Sequence, residues 1–480
     1  RDSRAENIRI YTMNEIIIGI AAFLIYIKLF LFWLWLWQLK EYHMGRFLAH
    51  FKEGQALKKI LSSFWRLKYP KFTKKITIIF LAGIFLALCL IFKGYYFSIF
   101  SLIIVTPLLF QIPTVIWRKR YLQKARRKRA KFLNLKVVGI TGSYGKTSTK
   151  EFLAHILGQK FHVLKTPEHQ NSEVGISNTI LRSLTDEHDI FVCEMGAYNK
   201  GGIKLLADIV KPQIGIVTGV NEQHLATFGS MENLLSAEGG EELVKALPKD
   251  GVAIVNGGSL KLKEHISALK KANGNVKFIV GTEDIQAENI KVEKENISFE
   301  VAGTKFRISV CGGHNAQNLL LAIAAAREMG MGLEEIARAC ETITPDLGAL
   351  KIKKGINGAT IIDSTYSANP DGVIADLEYL SLYEGKKILI MPCLIELGKA
   401  SKDAHKRIGE KIEEVCDLAI ITTKEHFEDL KHGANQSDKV VYMENTQEIL
   451  EKIKSSVKGD DAILLESRLP ESFIHSLIGS

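Results

Sequence analysis

One run of thirteen residues constrains this chain more than any other: Val137-Val-Gly-Ile-Thr-Gly-Ser-Tyr-Gly-Lys-Thr-Ser-Thr149. Val137 to Ile140 reads as a buried strand, and Thr141 to Gly145 as a glycine-punctuated loop. Lys146 opens a helical pattern through Phe152, Leu153, Ile156 and Leu157. Strand, loop and helix in that order make a phosphate cradle. Gly142 and Gly145 let the backbone approach an anion, with Ser143 between them. The amides at the helix start point at the anion, Lys146 adds a point charge, and a hydroxyl at Thr147 or Ser148 can reach Mg²⁺. An ordinary glycine turn before a helix needs none of these extra features.

The 480 residues are enough for several domains. The net charge of +10 is concentrated near the N-terminus: ten Lys/Arg against two acids between Gln38 and Lys75, and nine against none from Arg118 to Lys131. Outside these segments the chain is net acidic, which argues against a nucleic-acid-binding surface. Six cysteines are scattered without C-x-x-C spacing, so neither a disulfide framework nor a zinc site is expected.

Ile16 to Trp37 is apolar apart from Lys28 and long enough to cross a bilayer core of about 30 Å. Basic residues follow it in place of a small-residue cleavage site, which favours an anchor over a signal peptide. Ile76 to Phe92 and Tyr95 to Trp117, separated by Lys93-Gly94, read as a membrane hairpin whose second arm contains Pro107 and Pro113. With both basic segments on the cytoplasmic side, three spans put the N-terminus and Gly94 outside and everything after Trp117 inside. The chain is therefore expected to be a multi-pass protein of the cell membrane, contacting membrane lipids, with cytoplasmic catalytic domains. In the first loop Phe47, Leu48, Phe51, Leu57, Ile60, Leu61, Phe64 and Trp65 are interleaved with Lys and Arg. That pattern fits an interfacial amphipathic helix or one packed on the catalytic domain.

Further motifs follow the loop in order. Thr166-Pro-Glu-His-Gln-Asn-Ser-Glu-Val-Gly175 precedes a helical segment, and Asp189-Ile-Phe-Val-Cys-Glu-Met-Gly-Ala197 is a strand ending in the carboxylate of Glu194. A strand beginning near Pro212 runs into Asn221 and His224, before Leu225, Phe228 and Gly229. Gly312-Gly-His-Asn-Ala-Gln-Asn318 opens an alanine-rich helix. Ile361-Ile-Asp-Ser-Thr-Tyr-Ser-Ala-Asn-Pro370 and Ile388-Leu-Ile-Met-Pro-Cys-Leu-Ile-Glu-Leu-Gly398, with His405, occupy the last third.

This series resembles the Mur ligase family, which joins amino acids or peptides to carboxylates during cell-wall precursor synthesis. The last two signatures are most similar to the branch that adds D-alanyl-D-alanine. The resemblance covers roughly residues 136–470 and implies an α/β fold: a P-loop central domain and a Rossmann-like C-terminal domain, here preceded by transmembrane helices. The expected limits are 1–133 for the membrane region, 134–343 for the ATP-binding domain and 344–480 for the last domain. The resemblance also implies ATP and Mg²⁺, with Gly142, Ser143, Gly145, Lys146, Thr147 and Ser148 on the phosphates. Asn315 and Asn318 would face the adenine, with His314 beside them. Thr147 or Ser148 would hold one cation, and Glu194 and His224 a second. The expected substrates are a carboxylate acceptor, either a muramyl peptide or a lipid-linked analogue, and an amino acid or dipeptide.

The chain departs from the family pattern at several points. Ser172 stands where an asparagine is common. Glu238 takes the place of a lysine whose carbamate binds metal, and its carboxylate is the remaining candidate metal ligand. Gly348-Ala349-Leu350 lacks the arginine of a Gly-Arg motif. Ser364 replaces the second Asp of Ile-Asp-Asp, Ser367 replaces an Asn, and Leu465-Glu466-Ser467-Arg468 replaces Lys-Gly-Ser-Arg. The expected activity is ATP-dependent amide ligation through an acyl phosphate, catalysed by Lys146, Glu194 and His224. A membrane-bound polyglutamate-type synthase and a non-catalytic nucleotide-binding scaffold are the alternatives.

Overall fold

The computed structural model describes residues 2–39, 56–168, 170–281, 283–348, 350–365 and 369–478. The expectations for Phe47, Leu48, Phe51, Ala349 and Ser367 lie outside the described residues. The chain divides into two compact units, Arg1–Tyr121 and Leu122–Ser480.

Among the described residues, three helical segments are long and apolar enough to cross a membrane: Glu15–Leu39, Lys74–Phe92 and Ser98–Arg129. Tyr26, Phe30, Leu34, Ile76, Ile79 and Ile99 pack as their shared core. The third segment differs from the expected hairpin arm. Its α-helix begins at Leu102, not Tyr95, and runs through Pro107 and Pro113 and past Trp117 to Arg129. Lys and Arg are good helix formers, so the helix continues after the apolar run stops. Lys28 is satisfied by Ser63 O, 3.0 Å away, and by Phe64 O, two carbonyls at the C-terminal end of a helix over Ala56–Trp65. A cation there meets the negative end of the helix dipole.

In the second unit, apolar runs form strands that are buried on both faces. β1 (Lys136–Thr141), β2 (Val163–Lys165), β3 (Ile190–Glu194), β4 (Ile214–Val217), β5 (Val252–Val255) and β6 (Lys277–Val280) make one parallel sheet in the order β2-β3-β1-β4-β5-β6. One face packs on Phe152, Leu153, Ile156 and the alanine-rich His314–Glu328 helix; the other packs on Ile203, Leu206, Leu234 and Leu243. Leu122 and Ala125, from the end of the long basic helix, are buried in this second core. β7 (Ala287–Val292), β8 (Ile297–Val301) and β9 (Thr304–Ile308) form a small antiparallel sheet whose Phe299 and Phe306 join the first core.

A second large sheet has the order β10-β11-β15-β12-β13-β14. It is built from β10 (Lys351–Lys354), β11 (Thr360–Ser364), β12 (Lys387–Met391), β13 (Leu418–Ile421), β14 (Val440–Tyr442) and β15 (Ala462–Glu466). Only β10 is antiparallel to its neighbour. Helices cover both faces over separate cores. In open sheets of this kind ligands bind beyond the carboxyl ends of the strands. Glu194, Ser364 and Glu466 are all the last residues of their strands.

Candidate active site

The loop between β1 and the helix Lys146–Gly158 takes a path that two glycines set. Gly142 has φ +147° and Gly145 has φ +78°. A Cβ on Gly142 would collide with Thr218 Oγ1, and one on Gly145 would sit 2.5 Å from Asn318 Oδ1. Both positions therefore need glycine. Ser143 N donates to Gly219 O at 2.6 Å, and Thr218 Oγ1 donates to the carbonyl of Thr141 at 3.2 Å, so the end of β4 fixes the loop's path. Lys146 Nζ donates to Gly142 O at 2.5 Å and to Ser143 O at 3.1 Å, folding its charge over the cradle.

Glu194, at the end of β3, is 4 % exposed and fully engaged. Oε2 accepts from Thr147 Oγ1 at 3.1 Å, Oε1 accepts from Asn171 Nδ2 at 2.9 Å, and its backbone amide donates to Thr166 Oγ1 at 3.0 Å. Of the two candidate hydroxyls, Thr147 therefore faces the carboxylate, while Ser148 is buried in the helix. Lys150 lies one turn after Lys146 on the same helix face. Its side chain is wholly buried, and Nζ is 3.4 Å from Glu194 Oε2 and 3.1 Å from Glu151 Oε1. It was not singled out from the sequence, although its spacing from Lys146 was a usable signal.

A second pair adjoins the loop. Glu238 is 2 % exposed; its Oε1 lies 2.8 Å from His224 Nδ1 and its Oε2 accepts from Ser143 Oγ at 2.7 Å. Burial alone would raise this carboxyl's pKa, but His224, Lys146 and Ser143 together hold it below the usual range. The carboxylate faces Nδ1, which leaves Nε2 as the ring nitrogen that Glu238 does not engage. Among the described residues no group of three or more His, Cys, Asp or Glu converges on a metal position. Glu194 with Thr147, and His224 with Glu238, are two separate polar pairs beside the loop. Both suit a cation that takes its remaining oxygens from phosphate and water, as Mg²⁺ does.

On the other side of the loop Asn318 Nδ2 donates to Asn315 Oδ1 at 3.2 Å, Asn315 Nδ2 donates to Cys311 O at 2.8 Å, and Thr149 Oγ1 donates to Asn318 Oδ1 at 3.4 Å. His314 precedes them and faces Asp376 of the helix Pro370–Leu380, 3.7 Å from Oδ1. The two sheets meet along this edge. Asn221 Nδ2 donates to Asn369 Oδ1 at 2.5 Å and Asp371 Oδ2 at 3.2 Å, and Arg407 lies 3.7 Å from Glu222 and 3.8 Å from Asp371. Burial raises the Asp371 carboxyl, with Glu222 adding to it. His405, by contrast, is structural. It is fully buried, accepts the Leu394 amide on Nε2 at 2.9 Å and is held neutral by burial.

The same residues carry the likeness to known proteins. Residues 140–326 match the Mur ligase middle domain, and residues 350–469 match the Mur ligase, glutamate ligase domain. The UDP-N-acetylmuramoyl-tripeptide--D-alanyl-D-alanine ligase of Bacillus subtilis is 30 % identical over 359 residues, 73 % of this chain and 75 % of that protein. The enzyme of the same name from Synechocystis is 28 % identical over 354 residues, 73 % of each chain. The crystal structure of MurF from Acinetobacter baumannii superposes with a TM-score of 0.67 at 26 % identity, over 74 % of this chain and 79 % of that one. MurF from Thermotoga maritima in complex with ADP does so with a TM-score of 0.63 at 25 % identity, over 73 % and 80 %. A folylpolyglutamate synthase of Mycobacterium tuberculosis, at 12 % identity and a TM-score of 0.53 over 74 % of this chain and 96 % of its own, shares the fold. The chain belongs to the Mur ligase family and is an ATP-dependent ligase that forms amide bonds.

Proposed function

We propose that this protein ligates a dipeptide, or a single amino acid, to a muramyl peptide carboxylate at the cytoplasmic face of a membrane. The observation that carries the chemistry is the placing of two polar pairs beside one phosphate loop: Thr147 with Glu194, and His224 with Glu238 and Ser143. ATP phosphates lie on the amides of residues 142–147 under Lys146. The acceptor carboxylate attacks the γ-phosphorus and releases ADP, and the amine then adds to the acyl carbon and expels phosphate. Mg²⁺, when bound, neutralises the phosphate charge. Glu194, Thr147 and His224 are the residues that would hold it.

In this reading Glu238 acts through His224 and Ser143, which it holds beside the loop. No protein nucleophile is needed; the residues position groups and offset charge. Asn315 and Asn318 line the adenine side. The Asn221–Asn369 hydrogen bond ties the last domain to the segment after β4.

Glu238 supplies a permanent carboxylate at a position where the family resemblance implies a carbamylated lysine. Turnover is therefore expected to be equal in CO₂-free and bicarbonate-supplemented buffer. A severalfold stimulation by bicarbonate would show that a carbamate elsewhere is required.

The three apolar helices carry the location. Lys/Arg bias puts the 118–131 segment inside. A cysteine introduced at Gly94 is expected to react with an impermeant reagent from outside, and one introduced just after Lys131 only after lysis; the opposite pattern would reverse the topology. With three apolar helices ahead of the loop, an acceptor confined to the membrane surface gains effective concentration. The full-length protein is expected to prefer a lipid-linked over a UDP-linked muramyl peptide. Equal use of both would make the helices only a tether.

A further inference from the structure

The helix Leu102–Arg129 changes character at Trp117. Up to that residue it belongs to one of the three apolar segments; beyond it, nine of the fourteen residues from Arg118 to Lys131 are Lys or Arg, and the ligase chemistry uses none of them. A helix turns by about 100° per residue, so this basic run has faces. Leu122, Ala125 and Arg129, at spacings of three and four, share one. Leu122 and Ala125 are buried in the second core, and Arg129, 6 % exposed, donates through Nε to Val210 O at 2.9 Å, the last residue of the helix Gly202–Val210. Lys128 Nζ donates to Leu181 O at 3.1 Å, in the last turn of the helix Glu173–Ser183. Two cations of the run are thus spent on helix ends in the second unit, where the carbonyls carry the negative end of the dipole.

The opposite face is a basic stripe. Arg120, Lys124 and Arg127 follow one another at spacings of four and three, and all three are exposed. No Asp or Glu occurs from residue 54 to residue 150, so nothing on the helix itself offsets their charge. The stripe's place along the helix says what it meets. Trp117 and Tyr121 stack at the start of the run with ring centroids 5.0 Å apart, and such aromatics gather where a span leaves the apolar core of a bilayer. At 1.5 Å per residue Arg120 lies about 5 Å and Arg127 about 15 Å beyond Trp117 along the axis. Long side chains and a Debye length of about 8 Å bring both within reach of a charged surface at that level.

We propose that the face formed by Arg120, Lys124 and Arg127 binds the headgroups of anionic phospholipids in the membrane that the preceding residues cross. Its charge is complementary to such headgroups, and it continues directly from the apolar surface of the same helix. Each cation beside an anionic leaflet gains on the order of fivefold in binding. Lys128 and Arg129 are withheld from the lipid by their carbonyl partners, so the stripe, and not the total charge of the segment, sets the preference. The proposal rests on the reading that residues 102–117 lie in the membrane and is independent of the ligation reaction.

The test is lysine acylation of the full-length protein in nanodiscs, read residue by residue by mass spectrometry. The discs hold phosphatidylcholine alone, phosphatidylcholine with phosphatidylglycerol, or phosphatidylcholine alone with a short RNA added. Lys124 is expected to react at least about fivefold more slowly when phosphatidylglycerol is present. It should regain its rate in about 1 M salt, where the Debye length falls to about 3 Å, and be unaffected by the RNA. Lys263, exposed on the helix Leu260–Ala272, should react alike in all three. In Arg120→Gln/Arg127→Gln, which changes only exposed positions, the protection of Lys124 is expected to fall severalfold. Equal Lys124 rates in the two lipid compositions, protection that persists in full in that variant, or protection by RNA as strong as by phosphatidylglycerol overturns the lipid stripe alone. A protein that stays soluble without detergent and enters no disc overturns the membrane reading with it.

Discussion

Replacing Lys146 with alanine is expected to lower ATP turnover by about a thousandfold or more, the range seen when a cation facing transferred phosphate is removed. The fold should survive. Lys146 is only partly buried, and its ammonium bonds two carbonyls of its own loop, Gly142 O and Ser143 O, which water can satisfy in its absence. The loop path depends instead on Gly142, Gly145 and the Ser143–Gly219 hydrogen bond, which the substitution leaves alone. Phosphate release and a thermal melt on the same preparation check both halves. Wild-type turnover in the variant would remove the loop from the mechanism.

Glu194→Ala should fail in both activity and stability. Its carboxylate accepts from Thr147 and Asn171 and faces Lys150, whose side chain has no exposure to water. Without it the ammonium keeps only Glu151, which Lys165 also engages. Removing one partner of a buried ion pair typically costs about 3–5 kcal/mol. Here the surviving Glu151 keeps the expected loss near the lower end, on the order of 3 kcal/mol, seen as a fall in melting temperature of several degrees. The Lys150→Met/Glu194→Ala double variant removes the stranded charge with its partner. It is expected to recover much of the stability and none of the turnover. A double variant as unstable as Glu194→Ala would mean that Lys150 is not the source of the loss.

These residues also show how far the sequence could be read. The strand, glycine loop and helix of residues 137–149 were legible because their signals are local and each has its own physical reason. The placing of Glu194 at the end of β3 and of His224 after β4 was legible because the ends of parallel strands share one edge of a sheet. The pairing of His224 with Glu238 was harder to see. The two are brought together by the short helices Leu225–Phe228 and Met231–Ala237, a bend that no periodicity announces.

Lys150 was passed over because lysines usually carry their charge to water, and its burial follows only from packing against β3 and the neighbouring Glu151. Ser364 and Glu466 were visible as departures, but their relation was not, since it depends on the register of two strands far apart in the chain. In the first unit, hydropathy located three apolar segments but not the helical course of the third through the basic run to Arg129. Hydropathy reports where a span stops being apolar, not where a helix stops.

Ligation itself tests the account most directly. The full-length protein, purified in detergent and given ATP, Mg²⁺, a muramyl tripeptide in UDP-linked or lipid-linked form and D-alanyl-D-alanine, is expected to yield a product heavier by one dipeptide residue mass. One ADP and one phosphate should appear per bond formed, and no product without ATP. Nucleotide binding with no acceptor-dependent ADP release and no ligated product, from either acceptor and with single amino acids as well as the dipeptide, would contradict it and leave a nucleotide-binding membrane scaffold.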